Sequence, residues 1–184
     1  IRSRCTEVRL IGEPLSTVSD RLRAERGMEP EAAAQIARLS GGYYALALEW
    51  TADKKNLAAL REGLFDLMNS LCGRGADPLG GYAFFQAHKD QAQQLLDLLS
   101  GILSDILLVK QGGDPQNTDH AEDIVRLARQ MNGPALMRIL TQMPQRGAQL
   151  SGNVHHQMLM EDLLLKIKDA MEESEHDQSD RRAL

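Results

Sequence analysis

The stretch Gln91–Lys110, QAQQLLDLLSGILSDILLVK, constrains this chain more than any other. Its polar residues Gln93, Asp97, Ser100 and Ser104, followed by Gln111, recur at +4, +7, +11 and +18, one narrow polar stripe on a helix. The rest of the circumference carries Leu95, Leu96, Leu98, Leu99, Ile102, Leu103, Ile106, Leu107, Leu108 and Val109. A helix that apolar must be covered by other helices on most of its surface, so the spacing predicts the central member of a bundle. A membrane span needs about 20 apolar residues and tolerates charge badly. Asp97, Asp105 and two serines interrupt this run, and no membrane partner is expected.

With 42 % hydrophobic and 26 % charged residues, the 184-residue chain is ordinary globular material for one or two domains. Aromatic content is only 4 %, with Trp50 the single tryptophan, and Leu, Ala, Met, Gln and Glu dominate over β-branched residues. An all-α fold follows. Cys5 and Cys72 form no CxxC pair and have no neighbouring histidine, so neither a zinc site nor a disulfide framework is expected, only reduced thiols. The net charge of −5 argues against a broad basic face that neutralises phosphates, which leaves any DNA contact minor or indirect. The chain opens IRSRC, without an initiator Met or a visible targeting segment, and reads as a piece of a longer polypeptide.

Taken in order, residues 1–10 suggest a short extended lead-in. Ser16 and Thr17, with Asp20 three residues after Thr17, form a capping pattern for a first helix that ends at Arg26 and Gly27. Pro30 opens a second helix, closed by Ser40, Gly41 and Gly42, and a third runs from Tyr43 to about Thr51. The polar DKKN at Asp53–Asn56 is the candidate hinge to a larger unit, although a helix running straight through it also fits. Leu57, Leu60, Leu64, Leu67, Met68 and Leu71 then mark an amphipathic helix ending near Cys72 and Gly73. After the loop GRGADPLGG, Tyr82, Phe84 and Phe85 begin a short helix that feeds the central one, which stops at Gly112 and Gly113.

Asn117, Thr118 and Asp119 crowd the next helix start, and Ile124, Leu127, Ala128 and Met131 follow on one face. Pro134 opens another helix, in which Pro144 should produce a kink or an interruption. A last helix from Val154 carries Met160, Leu164, Ile167 and Met171, and the polar end, residues 173–184, is expected to be disordered.

Chemistry is mostly absent. No GxxxxGK[ST] or GxGxxG loop occurs, and His155 and His156 are adjacent, so their rings diverge on a helix and are expected to form a solvated surface pair. Asp97, Asp105 and Glu161 sit within helical patterns, where capping or interhelical roles are commoner than acid–base catalysis. No metal site and no cofactor are expected.

Four stretches in this order carry further information: IRSRC at 1–5, ARLSGGYYALAL at 37–48, GILSDILLVKQGG at 101–113 and LSGNVHHQMLMEDLLLKI at 150–167. Together they resemble the delta prime subunits of bacterial DNA polymerase III clamp loaders. The resemblance implies that residues 1–5 end an AAA+ nucleotide-binding core with its Ser-Arg-Cys motif, that 6–52 form a three-helix lid, and that 53–172 form a helical collar of five or six helices. It also implies an arginine finger at Arg4, placed by Ser3 and Cys5, acting in trans on ATP held by a motor subunit. A planar guanidinium suits that task, and a finger in trans is worth roughly 10³ to 10⁵ in rate. Aligning Ser40 and Gly42 with the family's lid turn puts Ala45 where ATP-binding relatives carry a sensing arginine, and its methyl group cannot reach a phosphate.

The implied protein is a cytoplasmic, non-catalytic stator subunit of the polymerase III holoenzyme. It would assemble through its collar with gamma/tau motor subunits and delta in a hetero-pentamer, and meet the sliding clamp and primed DNA indirectly. Two alternatives remain open: the lid and collar of the motor subunit of the same machine, and an unrelated helical partner-binding module.

Overall fold

The computed structural model describes residues 11–52, 54–72, 75–150 and 155–182, with the side chains of 54–55 and 173–182 left out of the description. Every described regular element is helical: α1 Leu15–Arg26, α2 Pro30–Leu39, α3 Tyr44–Ala52, α4 Lys54–Ser70, α5 Tyr82–Ala87, α6 Ala92–Lys110, α7 Ala121–Gln130, α8 Gly133–Leu150 and α9 His156–Arg182. Short 3-10 turns, Lys89–Gln91 and Thr118–His120, lead into α6 and α7. The all-α fold expected from composition is the one observed. Contacts divide the chain into two compact units, Ile1–Leu57 and Ala58–Leu184. The candidate hinge residue Asp53 and the extended lead-in at 1–10 lie outside the described residues.

In the first unit, α1 and α3 pack on α2 around Val18, Leu22, Ala33, Ile36, Ala37 and Ala47. The expected capping pattern at Ser16 and Thr17 does not form. The helix begins one residue earlier, at Leu15, behind Pro14, and no side-chain cap bond is made. Proline at the cap holds φ at −53° and pre-sets the direction of the chain, so both hydroxyl residues fall inside the first turn instead of before it. The other end agrees with the sequence: Gly27 is left-handed, at φ 61°, and its N–H donates to the Arg23 carbonyl.

The second unit is organised around α6, which packs against α7 and α8, while α9 lies on α5, α7 and α8. Leu95, Leu99, Leu103 and Ile106 are fully buried, each contributing about 1.5–3 kcal/mol by leaving water. Gln93, Gly101 and Ser104 are exposed, Asp97 and Ser100 half-buried, which traces the polar stripe. By length and composition Lys89–Lys110 could cross a membrane, but half of that window is buried inside this unit.

Packing also decides the course of the last two helices. Of the kink or interruption expected at Pro144, the interruption does not occur, and α8 runs from Gly133 to Leu150. One lost backbone bond on an exposed turn is offset because Ala135, Leu136, Ile139, Met143 and Arg146 keep a continuous buried face through it. The polar end, where composition favours disorder, continues α9 to Arg182. Propagating a helix already docked through Leu163, Leu164, Ile167 and Met171 fixes one residue per bond gained, and the Glu, Gln and Arg of this stretch are good helix formers.

Candidate functional site

Arg4, with its flanking Ser3 and Cys5, lies outside the described residues. The turn at Ser40, Gly41 and Gly42, where a lid turn was expected, lies within the described residues. Ser40 is buried and its hydroxyl donates to the Ala37 carbonyl at 3.1 Å. Gly41 and Gly42 follow at φ 60° and 82°, a conformation that side chains resist. The segment before α1 clasps this turn: the Glu13 N–H donates to the Gly42 carbonyl at 2.9 Å, and a Cβ at Gly42 would stand 2.2 Å from the Glu13 carbonyl oxygen. Ala45 is exposed in the first turn of α3. Nearby, Tyr44 donates to Glu25, and the Arg21 guanidinium lies 3.5 Å over the Tyr44 ring.

The acidic residues within the helical patterns have structural partners. Asp97 accepts from the Gln93 side chain and Glu161 from Gln157, each one turn away on its own helix. Asp105 differs. It is 3 % exposed, and its Oδ1 accepts the Gln116 N–H while Oδ2 accepts both the backbone and side-chain N–H groups of Asn117, all at 2.8 Å. A carboxylate in α6 therefore holds the loop that leads to α7.

That anchor continues into a buried node. Arg61 of α4 is 5 % exposed and donates to Asn117 Oδ1 at 2.9 Å and to both carboxylate oxygens of Asp119 at 2.9 and 3.0 Å. Burial opposes charge on Asp119, yet the Arg61 hydrogen bonds and charge hold its carboxyl below the usual range. Asn117 and Asp119, expected as helix caps, make no cap bond at either start. Their side chains face the node, because Asn117 is buried between Asp105 and Arg61. The His120 ring beside it stacks on Phe65 at 3.8 Å and lies 3.0 Å from Glu62 Oε1 and 3.1 Å from Asp123 Oδ2. This node fastens α4, α6 and the start of α7 together; it is scaffolding.

The adjacent histidines part company. His155 is exposed as expected, but both ring nitrogens of His156 are buried without a hydrogen-bond partner, 6.1 Å between ring centroids from Tyr82. Burial, and then the charge of Lys89, push its imidazole below the ordinary histidine range. The surface-pair reading is corrected for this residue: α9 turns it toward α5.

An open groove of about 510 Å³ lies between α8 and α9. Its floor is tied by Arg146, 5 % exposed, which donates to the Leu159 carbonyl at 3.1 Å and to Asp162 at 2.5 Å. Lys166 donates to the same Asp162 oxygen at 3.0 Å and across the groove to Gln142 at 3.2 Å. Burial disfavours the Asp162 charge, but these two cations outweigh it and hold the carboxyl below its ordinary range. On the flank of α9, Met158 is 67 % and Leu165 43 % exposed. Sequence reading missed the groove, since Arg146 looks like any surface arginine until α9 covers it. Among the described residues no cluster of His, Cys, Asp or Glu could hold a metal ion.

No curated protein matches the chain. Residues 55–169, well over half of the chain and nearly all of the second unit, match the family model described as DNA polymerase III, delta subunit, C terminal. The helical unit built around α6 is thus a clamp-loader domain, and the chain belongs to the family defined by the C-terminal domain of the DNA polymerase III delta subunit.

Proposed function

We propose that this protein comprises the lid and collar of the delta prime stator of a bacterial clamp loader. The collar, residues 53–172, would assemble with the collars of the gamma/tau motor subunits and delta, and Arg4 would supply an arginine finger to ATP on a neighbour. The observation that carries this reading is the family match over 55–169, which supports assembly within the clamp-loader complex. The exposed Ala45 at the lid turn supports a subunit that does not sense nucleotide itself, with no cofactor of its own and no catalysis of its own. Work on the sliding clamp and primed DNA, in the cytoplasm, belongs to the whole machine under this reading.

The test is Arg4→Ala in the full-length subunit. Assembly of the complex and unfolding should stay near wild type, while DNA-stimulated ATPase and clamp loading fall about tenfold or more, because the finger acts on charge that develops during transfer. Equal loss in Arg2→Ala refutes the motif assignment. The matched family is that of the delta subunit, which favours a second reading, delta itself; unchanged ATPase in Arg4→Ala with assembly intact would select it.

A further inference from the structure

Of the five asparagines in the sequence, Asn56, Asn69, Asn117, Asn132 and Asn153, only Asn132 precedes a glycine. That pair stands where α7 gives way to α8, and both residues are half-buried. A glycine after asparagine leaves the main-chain nitrogen unscreened by any Cβ, so this nitrogen can reach the neighbouring side-chain amide carbon and close a five-membered imide ring. In the folded chain the same amide is otherwise engaged. Helix α8 begins at Gly133, so its first N–H groups have no carbonyl one turn back within the helix. Pro134 brings none, and Asn132 alone meets the next two: its Oδ1 accepts the Ala135 N–H at 3.0 Å, and its main-chain carbonyl accepts the Leu136 N–H at 2.9 Å. Its own N–H donates to the Ala170 carbonyl of α9 at 2.7 Å.

We propose that Asn132 is a site of spontaneous covalent modification, gated by opening of the first turn of α8 and ending in part in a main chain that cannot re-form that turn. The Gly133 nitrogen attacks Asn132 Cγ; the new N–Cγ bond forms, the bond from Cγ to the side-chain nitrogen breaks, and that nitrogen leaves as ammonia, taking the proton of the Gly133 N–H. No oxidant or reductant is needed. Solvent water then opens the imide. Addition at Cγ yields aspartate in a normal main chain, whereas addition at the main-chain carbonyl yields isoaspartate, whose chain runs through Cβ and Cγ and is one atom longer. Gating follows from the shape of the ring. Its two carbonyls lie on either side of the imide nitrogen and point away from one another, so they cannot both accept from Ala135 and Leu136, whose N–H groups point the same way along the helix. Closure therefore requires the turn to open first, which makes the rate proportional to the open fraction. The two products differ in kind. Aspartate is as good a cap as asparagine and places its charge at the favourable end of the helix dipole. Isoaspartate separates the Ala170 bond from the two α8 bonds by an extra atom, so the three cannot be made together and the junction of α8 with α9 stays open.

The test follows the full chain in mildly alkaline buffer, with and without denaturing urea, by peptide mass mapping in which fragmentation tells isoaspartate from aspartate. In urea Asn132 should convert at least about tenfold faster than Asn56, Asn69, Asn117 or Asn153, and in the folded chain about a hundredfold more slowly than in urea, with the rate climbing as urea approaches the unfolding midpoint. Gly133→Ala should slow the unfolded reaction about tenfold; a Cβ there meets the flexible Lys110 side chain at 3.4 Å and so leaves the fold intact. After refolding, chains carrying isoaspartate should unfold at lower urea than wild type, while Asn132→Asp matches it. Folded and unfolded chains that convert at equal rates overturn the gating. Conversion spread evenly over the five asparagines overturns the site, and isoaspartate chains with the wild-type midpoint overturn the loss of the turn.

Discussion

Replacing Asp105 by asparagine changes no volume and almost no shape, so its effect isolates the carboxylate. In the native chain two oxygens accept three N–H groups, from Gln116 and twice from Asn117. Asparagine offers one oxygen. If that oxygen takes the Oδ2 place, the two Asn117 bonds survive in weaker, neutral form, and the new NH₂ points at the Gln116 N–H. Bonds to a charged acceptor contribute about 1.5–3 kcal/mol each, and an unsatisfied buried donor costs about 1–3 kcal/mol. The sum is a loss of about 3 kcal/mol. With a urea slope of about 2.5 kcal/mol/M, the unfolding midpoint of the second unit should fall by about 1.2 M. The control is Glu161→Gln, whose partner Gln157 is exposed, with an expected loss under about 0.5 kcal/mol. Urea titration followed by far-UV circular dichroism measures both. If the two variants shift the midpoint equally, the 116–117 loop is not held by Asp105 and the polar node is not a unit.

Asp119, Asp123 and Asp162 all have carboxyls held below the usual range, opposed by burial and favoured by Arg61, by His120, Asn69 and Arg126, and by Arg146 with Lys166 respectively. A depressed folded-state value gives stability that is complete above about pH 4 and is lost as pH falls through the folded values; urea midpoints between pH 7 and pH 2 should show it, and Asp119→Asn should flatten that acid limb. Gly42→Ala should destabilise the first unit by about 2 kcal/mol or more, read as a lowered thermal midpoint, because φ is 82° and the Glu13 carbonyl blocks the new methyl. Pro144→Ala should raise the thermal stability of the second unit by about 1–3 kcal/mol, by restoring the bond from residue 144 to the Leu140 carbonyl; a lower midpoint would mean that the ring makes a packing contact worth more than the bond.

The sequence by itself determined the helical class, the order of the helices and the place of α6 at the centre. These are periodic, local properties: ten apolar residues around a 3.6-residue turn leave a helix no stable place but the interior. Gly27 and Pro30 were legible for the same reason, since their backbone limits act without help from distant residues. What Asp105, Asn117, Arg61 and Arg146 do was decided only by tertiary structure. Arg61 and Asn117 stand 56 residues apart, and nothing local marks their pairing. An aspartate that interrupts an apolar run and an Asn-Thr-Asp cluster before a helix carry ordinary surface and capping signals; packing α4, α6 and the 111–120 loop together removed the water those groups would have used and left each other as partners. His156 escapes the sequence in the same way, because exposure depends on which helix lies opposite. The groove beside α9 exists only where two separately amphipathic helices meet.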